Sequence, residues 1–256
     1  MDASRFALMG SLAQIAGNVY DAALTLFYPQ ECAVCGGAVE RRADGGACAA
    51  CWRATRLFAD TETMCAKCGG LWPVALPEET RHKAHCGRCR DDSFTAARAV
   101  GVYEGALRAA VLRLKREPYL PPRLAQTLAQ TQQRGALAGA TRIIPVPLHK
   151  ERRRERGFNQ AAVIGQALAN RTGLAFDEWS LARTRHTERH RAGMDARGRR
   201  DSVAAAFSVL RPRLVENQRI LLVDDVFTTG ATVSACATSL LAAGAGEVFV
   251  LTLARA

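Results

Sequence analysis

Eight of the nine cysteines lie between Cys32 and Cys89 and form four C-x-x-C pairs: Cys32/Cys35, Cys48/Cys51, Cys65/Cys68 and Cys86/Cys89. A C-x-x-C pair sets two thiols on one tight turn. Two such turns close a tetrahedral four-thiolate site around Zn²⁺, each sulfur ~2.3 Å from the ion. Twelve residues separate Cys35 from Cys48 and seventeen separate Cys68 from Cys86. Neighbouring pairs are therefore assigned together: Cys32, Cys35, Cys48 and Cys51 to one zinc, Cys65, Cys68, Cys86 and Cys89 to a second. Gly36–Gly37 and Gly69–Gly70 follow two of the pairs and suit the left-handed backbone of such turns. A redox C-x-x-C is expected singly and beside a βαβ unit. His82 and His85 are alternative ligands, but four thiols already fill each site, so both read as exposed. A filled site has no open coordination position, and the role expected of both zincs is structural. The ninth cysteine, Cys236, reads as a small buried hydrophobe.

The second string able to do chemistry is Arg219-Ile-Leu-Leu-Val-Asp224-Asp225-Val-Phe-Thr228-Thr229-Gly230-Ala231-Thr232. An apolar strand ends in two carboxylates, a loop of small hydroxyl residues follows, and a helix begins. Ligands of open α/β sheets bind at the carboxyl ends of strands. A helix N-terminus offers free N–H groups and partial positive charge to a phosphate. Thr228, Thr229 and Thr232 add hydroxyl donors, and Gly230 with Ala231 lets the backbone come close. Asp224 and Asp225 would repel a phosphate but accept hydrogen bonds from sugar hydroxyls, so the string reads as a site for a sugar 5′-phosphate. Neither G-x-x-x-x-G-K-[ST] nor G-x-G-x-x-G is present. A strand ending in solvated acids before a Thr-capped helix is the bland alternative; it explains any one of these residues but not the whole string.

The stretch from Leu222 to Thr232 resembles the phosphoribosyl pyrophosphate (PRPP) motif of type I phosphoribosyltransferases. The segments Ile144-Pro-Val-Pro-Leu-His149 and Arg156-Gly-Phe-Asn-Gln160 resemble the ComF family, which includes competence-associated proteins and carries an N-terminal cysteine zinc module. The resemblance spans residues 28–256. It implies that Asp224 and Asp225 bind the ribose hydroxyls of PRPP and that Thr228, Thr229, Gly230, Ala231 and Thr232 cradle its 5′-phosphate. It further implies a pyrophosphate-binding loop after Pro147 with Arg152, Arg154 and Arg156 as cations, and a lid containing Arg183, Arg185 and Thr187. Mg²⁺ is expected with PRPP, and a role in handling transforming DNA is implied. The chain departs from the family pattern at His190, at Ser202 and in segment 115–122, which lacks a glycine after Lys115.

The run His149–Arg156 holds five cations and two acids, and seven further arginines fall in 183–200. On the enzyme reading these cations stabilise departing pyrophosphate as the anomeric carbon passes through an oxocarbenium-like state. No convincing general base stands out; His149 and His190 are candidates only. The competing reading is a single-stranded-DNA-binding competence factor without transferase activity, because Arg-rich loops and zinc ribbons both suit a polyanion. Phe158 is the main aromatic among the basic runs, few for base stacking. A solvated basic face is the third reading, disfavoured by its clustering beside the phosphate motif.

These residues need elements to hold them. Strands are expected at 97–103, 142–146, 219–224 and 247–253, and helices at 105–115, 122–134, 159–171 and 231–243. This alternation predicts an α/β domain with a mostly parallel sheet flanked by helices, of the type I phosphoribosyltransferase kind, preceded by a small zinc-ribbon module. The division expected is an N-terminal helix over 1–27, a double zinc ribbon over 28–92, and the transferase-like domain over 93–256. Residues 183–200 read as a mobile basic loop. The chain has 256 residues, 48% hydrophobic and 23% charged, with a formal net charge of +11. Such a composition excludes a mainly disordered, collagenous or membrane-embedded chain, and the surplus of cations suits polyanionic partners. Asp2 and the polar residues among 10–18 argue against a secretory leader, and the almost cation-free polar face of 5–27 argues against a membrane-surface helix. A cytoplasmic protein with reduced thiols and no membrane span is expected. DNA-uptake proteins are candidate partners, and the sequence leaves the oligomeric state open.

Overall fold

The computed structural model describes residues 30–59, 61–81, 83–184 and 206–256. The expected N-terminal helix, His82, Arg185, Thr187, His190 and Ser202 lie outside these residues.

Among the described residues the strands are β1 (Ala96–Val102), β2 (Arg142–Pro145), β3 (Ala175–Phe176), β4 (Leu181–Arg183), β5 (Phe207–Val209), β6 (Arg219–Phe227) and β7 (Glu247–Arg255). The main helices are α1 (Ala49–Ala54), α2 (Gly105–Leu114), α3 (Pro122–Gln132), α4 (Lys150–Arg156), α5 (Gln160–Thr172) and α6 (Ala231–Ala242). Five strands pair in parallel in the order β1-β7-β6-β2-β3, and β4 with β5 forms a separate antiparallel ribbon. The mostly parallel sheet flanked by helices and preceded by a small cysteine ribbon is the fold class expected from the sequence.

The apolar runs of β2, β6 and β7 are continuous because both sheet faces are covered. Successive side chains alternate between two cores. Ile143, Leu221, Val223, Phe249 and Leu251 face one core with Leu107, Leu124, Leu128, Ile164 and Leu168 from α2, α3 and α5. Ile144, Ile220, Leu222, Val248 and Val250 face the other with Val233, Ala237 and Leu240 from α6. Cys236 is fully buried in this second core, as a hydrophobe would be.

Strand order places the site. From β2 the chain moves outward to β3, and from β6 it moves the other way to β7. Neighbouring parallel strands whose onward connections diverge leave a crevice at their carboxyl ends. Asp224, Asp225 and the threonine loop end β6, and α4 follows β2, so the crevice falls between the acids and the basic run.

Two local expectations need correction. The segment after Pro147, expected as a basic loop, is the helix α4. Seven consecutive Lys, Glu and Arg residues favour helix; the His149 side chain accepts the N–H of Glu151 at one end, and Gly157 (φ 79°) ends the helix in the left-handed region. Arg183, expected in a mobile loop, sits in β4 with its guanidinium 5.5 Å above the Phe207 ring of β5. Three further strands, β3, β4 and β5, fell outside the expectations because they are only two or three residues long.

The cysteine module is fastened to the sheet. Trp52 of α1 is buried with Cys32, Val39 and Cys48 in the core that α2 and α3 share. Its indole N–H donates to the Asp44 carbonyl at 2.8 Å, and Arg123 of α3 reaches both the Asp44 carboxylate (3.0 Å) and the Trp52 ring (5.1 Å). The second ribbon docks on the free edge of β1, where Ala97 donates its N–H to the Lys67 carbonyl at 2.6 Å. Gly69 (φ 67°) is required there, because a Cβ would stand 2.5 Å from the Ala97 carbonyl oxygen. Trp52→Ala is therefore expected to cost about 3–5 kcal/mol by emptying the seam between ribbon and helices; thermal unfolding of the two proteins at equal zinc content checks this.

Candidate functional site

Each set of four cysteines is gathered into one cluster, all sulfurs within 4.8 Å of one another. A tetrahedron of sulfurs ~2.3 Å from zinc has edges of roughly 3.8 Å. The Cys35–Cys48 pair is 3.8 Å apart, Cys65–Cys89 and Cys68–Cys86 are 3.6 Å, and Cys86–Cys89 is 3.5 Å. Both clusters thus fit a zinc ion, and none of the eight thiols is in a disulfide. Burial raises the Cys32 and Cys65 thiols, but backbone N–H groups aimed at sulfur outweigh it and bring each down to about 6. The N–H of Cys48 meets the Cys32 sulfur and that of Cys86 meets the Cys65 sulfur, each at 3.3 Å. Thiolate-ready sulfurs with N–H donors in the turn are what a metal knuckle requires. His85 is exposed, as expected once four thiols fill the site.

Asp224 and Asp225 lie inside the end of β6, which runs on to Phe227 because it keeps pairing with β7 as far as Arg255. Asp225 donates its N–H to the Asp224 carboxylate (2.9 Å), and its own carboxylate lies 3.8 Å from the Lys115 ammonium after α2. Burial first, then the adjacent Asp225 charge, push the Asp224 carboxyl up to about 8. Two half-buried carboxylates side by side, with one lysine near, favour hydroxyl donors and cations.

The loop beyond the acids is open. Thr228 and Thr229 are exposed, and α6 starts at Ala231. Thr232 lies in the first turn of α6, where backbone N–H groups have no partners within the helix. Gly230 takes φ 82°, and a Cβ there would stand 2.9 Å from the Phe227 ring. Gly230→Ala is expected to cost about 1–2 kcal/mol from left-handed strain plus this contact. Gly173→Ala, with φ 74° and open space around it, carries the strain alone. Thermal unfolding of the pair separates the two contributions.

The arginines divide. Arg152 and Arg156 are one helical turn apart on α4, and Arg154 projects half a turn away and is exposed. Arg183 is close enough to Arg152 and Asp224 to feel both charges, and burial lowers its pKa. Arg153, passed over in the sequence, bonds Glu178 at 2.9 Å and lies 5.0 Å over the Trp179 ring, fixing α4 against the strand ribbon's base. Asn159 caps α5 through the Ala161 N–H and donates to the Val146 carbonyl at the end of β2, which sets the course of the chain between them. Sequence reasoning also missed Arg255, which bonds the Cys68 carbonyl at 2.6 Å and covers the Phe227 ring at 4.5 Å, and so joins the second ribbon to the threonine loop.

Comparison with known proteins bears on this arrangement. The DNA utilization protein YhgH of Salmonella typhimurium is 34% identical over 218 residues, 82% of this chain and 90% of that protein. Competence protein F of Haemophilus influenzae is 29% identical over 239 residues, 90% of this chain and 99% of that protein. The chain belongs to the ComF family. A further relative is competence protein ComFC of Bacillus subtilis, 31% identical over 44% of each chain. Residues 23–93 match the double zinc ribbon domain family, which agrees with the two tetrahedral clusters of this ComF-family chain. Similar solved structures include the glutamine PRPP amidotransferase of B. subtilis (TM-score 0.36, 20% identity, 58% of this chain and 26% of that one). Another is the adenine phosphoribosyltransferase of Thermoanaerobacter pseudethanolicus (TM-score 0.33, 18% identity, 52% and 79%). Among the described residues no helix is long and apolar enough to cross a membrane.

Proposed function

We propose that this chain binds PRPP as its Mg²⁺ complex in the crevice between β6 and β2. The observation that carries the reading is one stretch: paired acids near the end of β6, then exposed threonines and a left-handed glycine at the start of α6, all at the point where strand connections diverge. In this reading Asp224 and Asp225 accept the ribose hydroxyls. Thr228, Thr229, Gly230, Ala231 and Thr232 hold the 5′-phosphate by hydroxyls and first-turn amides. Arg152 and Arg156 of α4, with Arg183 of β4, face the pyrophosphate; Arg154 stands at the rim, and Arg185 and Thr187, expected in a lid, lie outside the described residues. Mg²⁺ enters on the substrate and offsets pyrophosphate charge. The protein's contribution to transfer is electrostatic, holding the leaving group among fixed cations as the C1–O bond lengthens. The product side is phosphoribosyl transfer to an acceptor with release of pyrophosphate.

Residues 28–92 serve this reading as a structural double ribbon and 93–256 as the PRPP-binding domain. The names of the relatives point to DNA utilisation and competence, and we place the chain in the cytoplasm in that role. A second reading is favoured by the five cations of α4, none of them buried: binding of single-stranded DNA without transfer. Thermal unfolding with added ligands separates the two. Mg·PRPP at 100 times its Kd is expected to stabilise the fold by about 2.7 kcal/mol, with ribose 5-phosphate and Mg-pyrophosphate each giving less at the same concentration. Stabilisation by an oligonucleotide alone, with none from Mg·PRPP, would favour the second reading.

A further inference from the structure

We propose that the first cysteine cluster is a modification site: Cys35 is an open thiolate that a hydroperoxide oxidises, and this cluster gives up its zinc while the second keeps its own. The inference uses the two ribbons alone and does not depend on the PRPP reading.

The chain supplies its own control. Cys32-Ala33-Val34-Cys35-Gly36-Gly37 and Cys65-Ala66-Lys67-Cys68-Gly69-Gly70 are two copies of one C-A-x-C-G-G string. They fold alike. In each, the first cysteine's N–H donates to the second glycine's carbonyl at 2.7 Å, and the first glycine's N–H donates to the first cysteine's carbonyl at 2.9 Å. Gly36 and Gly69 take φ 74° and 67°. The Cys32 and Cys65 sulfurs each accept an N–H from the facing turn at 3.3 Å. What differs between the copies therefore comes from their surroundings.

The surroundings differ at every position after the first cysteine. Residues 33–37 are all exposed, and none of 66–70 is. Val34 is exposed, whereas Lys67, at the same place in its copy, accepts the Ala97 N–H with its carbonyl. A Cβ on Gly69 would strike the Ala97 carbonyl oxygen, and one on Gly36 would meet nothing within 4 Å. A Cβ on Gly70 would meet the Arg255 guanidinium at 3.2 Å and the Cys68 sulfur at 3.5 Å, so an arginine lies across that sulfur. A Cβ on Gly37 would meet the Cys35 sulfur at the same 3.5 Å and nothing else within 4 Å.

Charge points the same way. Four thiolates around a divalent ion leave two negative charges. At the second cluster Arg255 reaches the Cys68 sulfur at 3.7 Å, and half-buried Arg98 is close enough to Cys65 and Cys68 to feel both charges. Two guanidiniums match that charge and draw electron density from the sulfurs. Among the described residues no arginine or lysine bonds a sulfur of the first cluster; those sulfurs meet backbone N–H groups and one another. For a thiolate already ionised by metal, nucleophilicity rises with the electron density left on sulfur, and oxidation follows exposure.

The step balances. The Cys35 sulfur attacks the outer oxygen of the hydroperoxide. An S–O bond forms, the O–O bond breaks, and the alcohol or water leaves with a proton from solvent. The Cys48 sulfur, 3.8 Å away, then attacks the sulfenic sulfur. An S–S bond forms and the oxygen leaves as water with a second solvent proton. Two electrons pass from two thiolates to the peroxide. The two thiolates that remain are too few to hold zinc.

Reduced full-length protein loaded with two zinc ions is treated with hydrogen peroxide. A chromogenic chelator follows metal release, and peptide mass spectrometry follows each cysteine. One zinc per chain is expected to leave at least about tenfold faster than the other, with oxidation mapped first to Cys35. Gly37 lies outside the left-handed region and accepts a side chain. Gly37→Leu covers the Cys35 sulfur and is expected to slow the fast release by about tenfold. Arg255→Met uncovers Cys68 and is expected to speed the slow release by about tenfold. Neither variant removes a ligand, and two zinc ions per chain show that each is folded; if Gly37→Leu loses metal, Arg255→Met carries the test. In the wild type, release of both ions at one rate, or oxidation that begins in the second cluster, overturns the proposal. So does a two-zinc variant whose release rates match those of the wild type.

Discussion

Protein stripped of metal is expected to lose the whole ribbon module as a folded unit and, with it, the setting of the threonine loop. A structural zinc in a small domain supplies an apparent ~10–16 kcal/mol at neutral pH, and the ribbons have little besides metal to hold them: long apolar runs are absent from 30–92. Four sulfurs within 4.8 Å of one another also repel once ionised and uncapped. The two sites should differ in what their loss does elsewhere. The first ribbon packs through Trp52 on the core that α2 and α3 share. The second is tied to the loop by the Arg255–Cys68 hydrogen bond and by Phe94, whose ring meets Phe227 edge-on at 5.9 Å. Cys32→Ser is therefore expected to lower thermal stability while Mg·PRPP binding survives at low temperature. Cys65→Ser is expected to reduce stability and to weaken Mg·PRPP by about tenfold or more, as a coupling of about 1.4 kcal/mol or more would. Elemental analysis of the reduced wild type should give two zinc ions per chain. The pair of variants, read by metal content, unfolding and titration, shows whether the sites are coupled to the crevice unequally.

Asp224→Asn with Asp225→Asn is expected to abolish PRPP binding and to make the empty protein more stable. The two effects share one cause. Burial and the charge of Asp225 hold the Asp224 carboxyl near 8, against an ordinary 3.8. The folded protein therefore keeps a proton that the unfolded chain has released, and the folded state loses stability as pH rises from about 4 to about 8. Above that range the penalty stays constant. Asparagine removes it. After allowance for the side chain's partial exposure, a gain of about 1–2 kcal/mol at pH 8 is reasonable, seen as a Tm raised by about 2–8 °C for a chain of this size. At pH 5 most of the difference should vanish. Tm measured from pH 5 to pH 8.5 on both proteins checks the sign: a wild type that gains on the variant as pH rises would contradict it. A carboxyl held where it destabilises the empty fold fits a site that a ligand completes.

The sequence carries the cysteine clusters in full, because ligand spacing along the chain is the same as ligand spacing in a knuckle. It also carries the four long sheet strands and the helices that cover them. Ile143 and Ile144, or Leu221 and Leu222, go to opposite cores, so a fully apolar run already states that both faces are buried. The helix over Lys150–Arg156 was hidden because a helix with no apolar face has no period to detect; only its caps, His149 and Gly157, mark it. The β4–β5 ribbon was hidden by its three-residue strands and by a connection through segment 185–205. The coupling of ribbon to loop was not legible at all. Arg255 and Cys68 are 187 residues apart, and nothing local to either one points to the other. The same holds for Asp92, whose carboxylate would stand 3.5 Å from a Cβ on Gly230, a proximity that depends on how the second ribbon seats on the edge of β1.

The most direct test is a calorimetric titration of reduced, zinc-loaded protein with Mg·PRPP, with the Asp224→Asn, Asp225→Asn protein run alongside. A saturable one-to-one heat for the wild type and none for the variant, whose higher Tm shows it to be folded, is the predicted result. A silent wild type, or a variant that binds Mg·PRPP equally well, would contradict the assignment of the crevice.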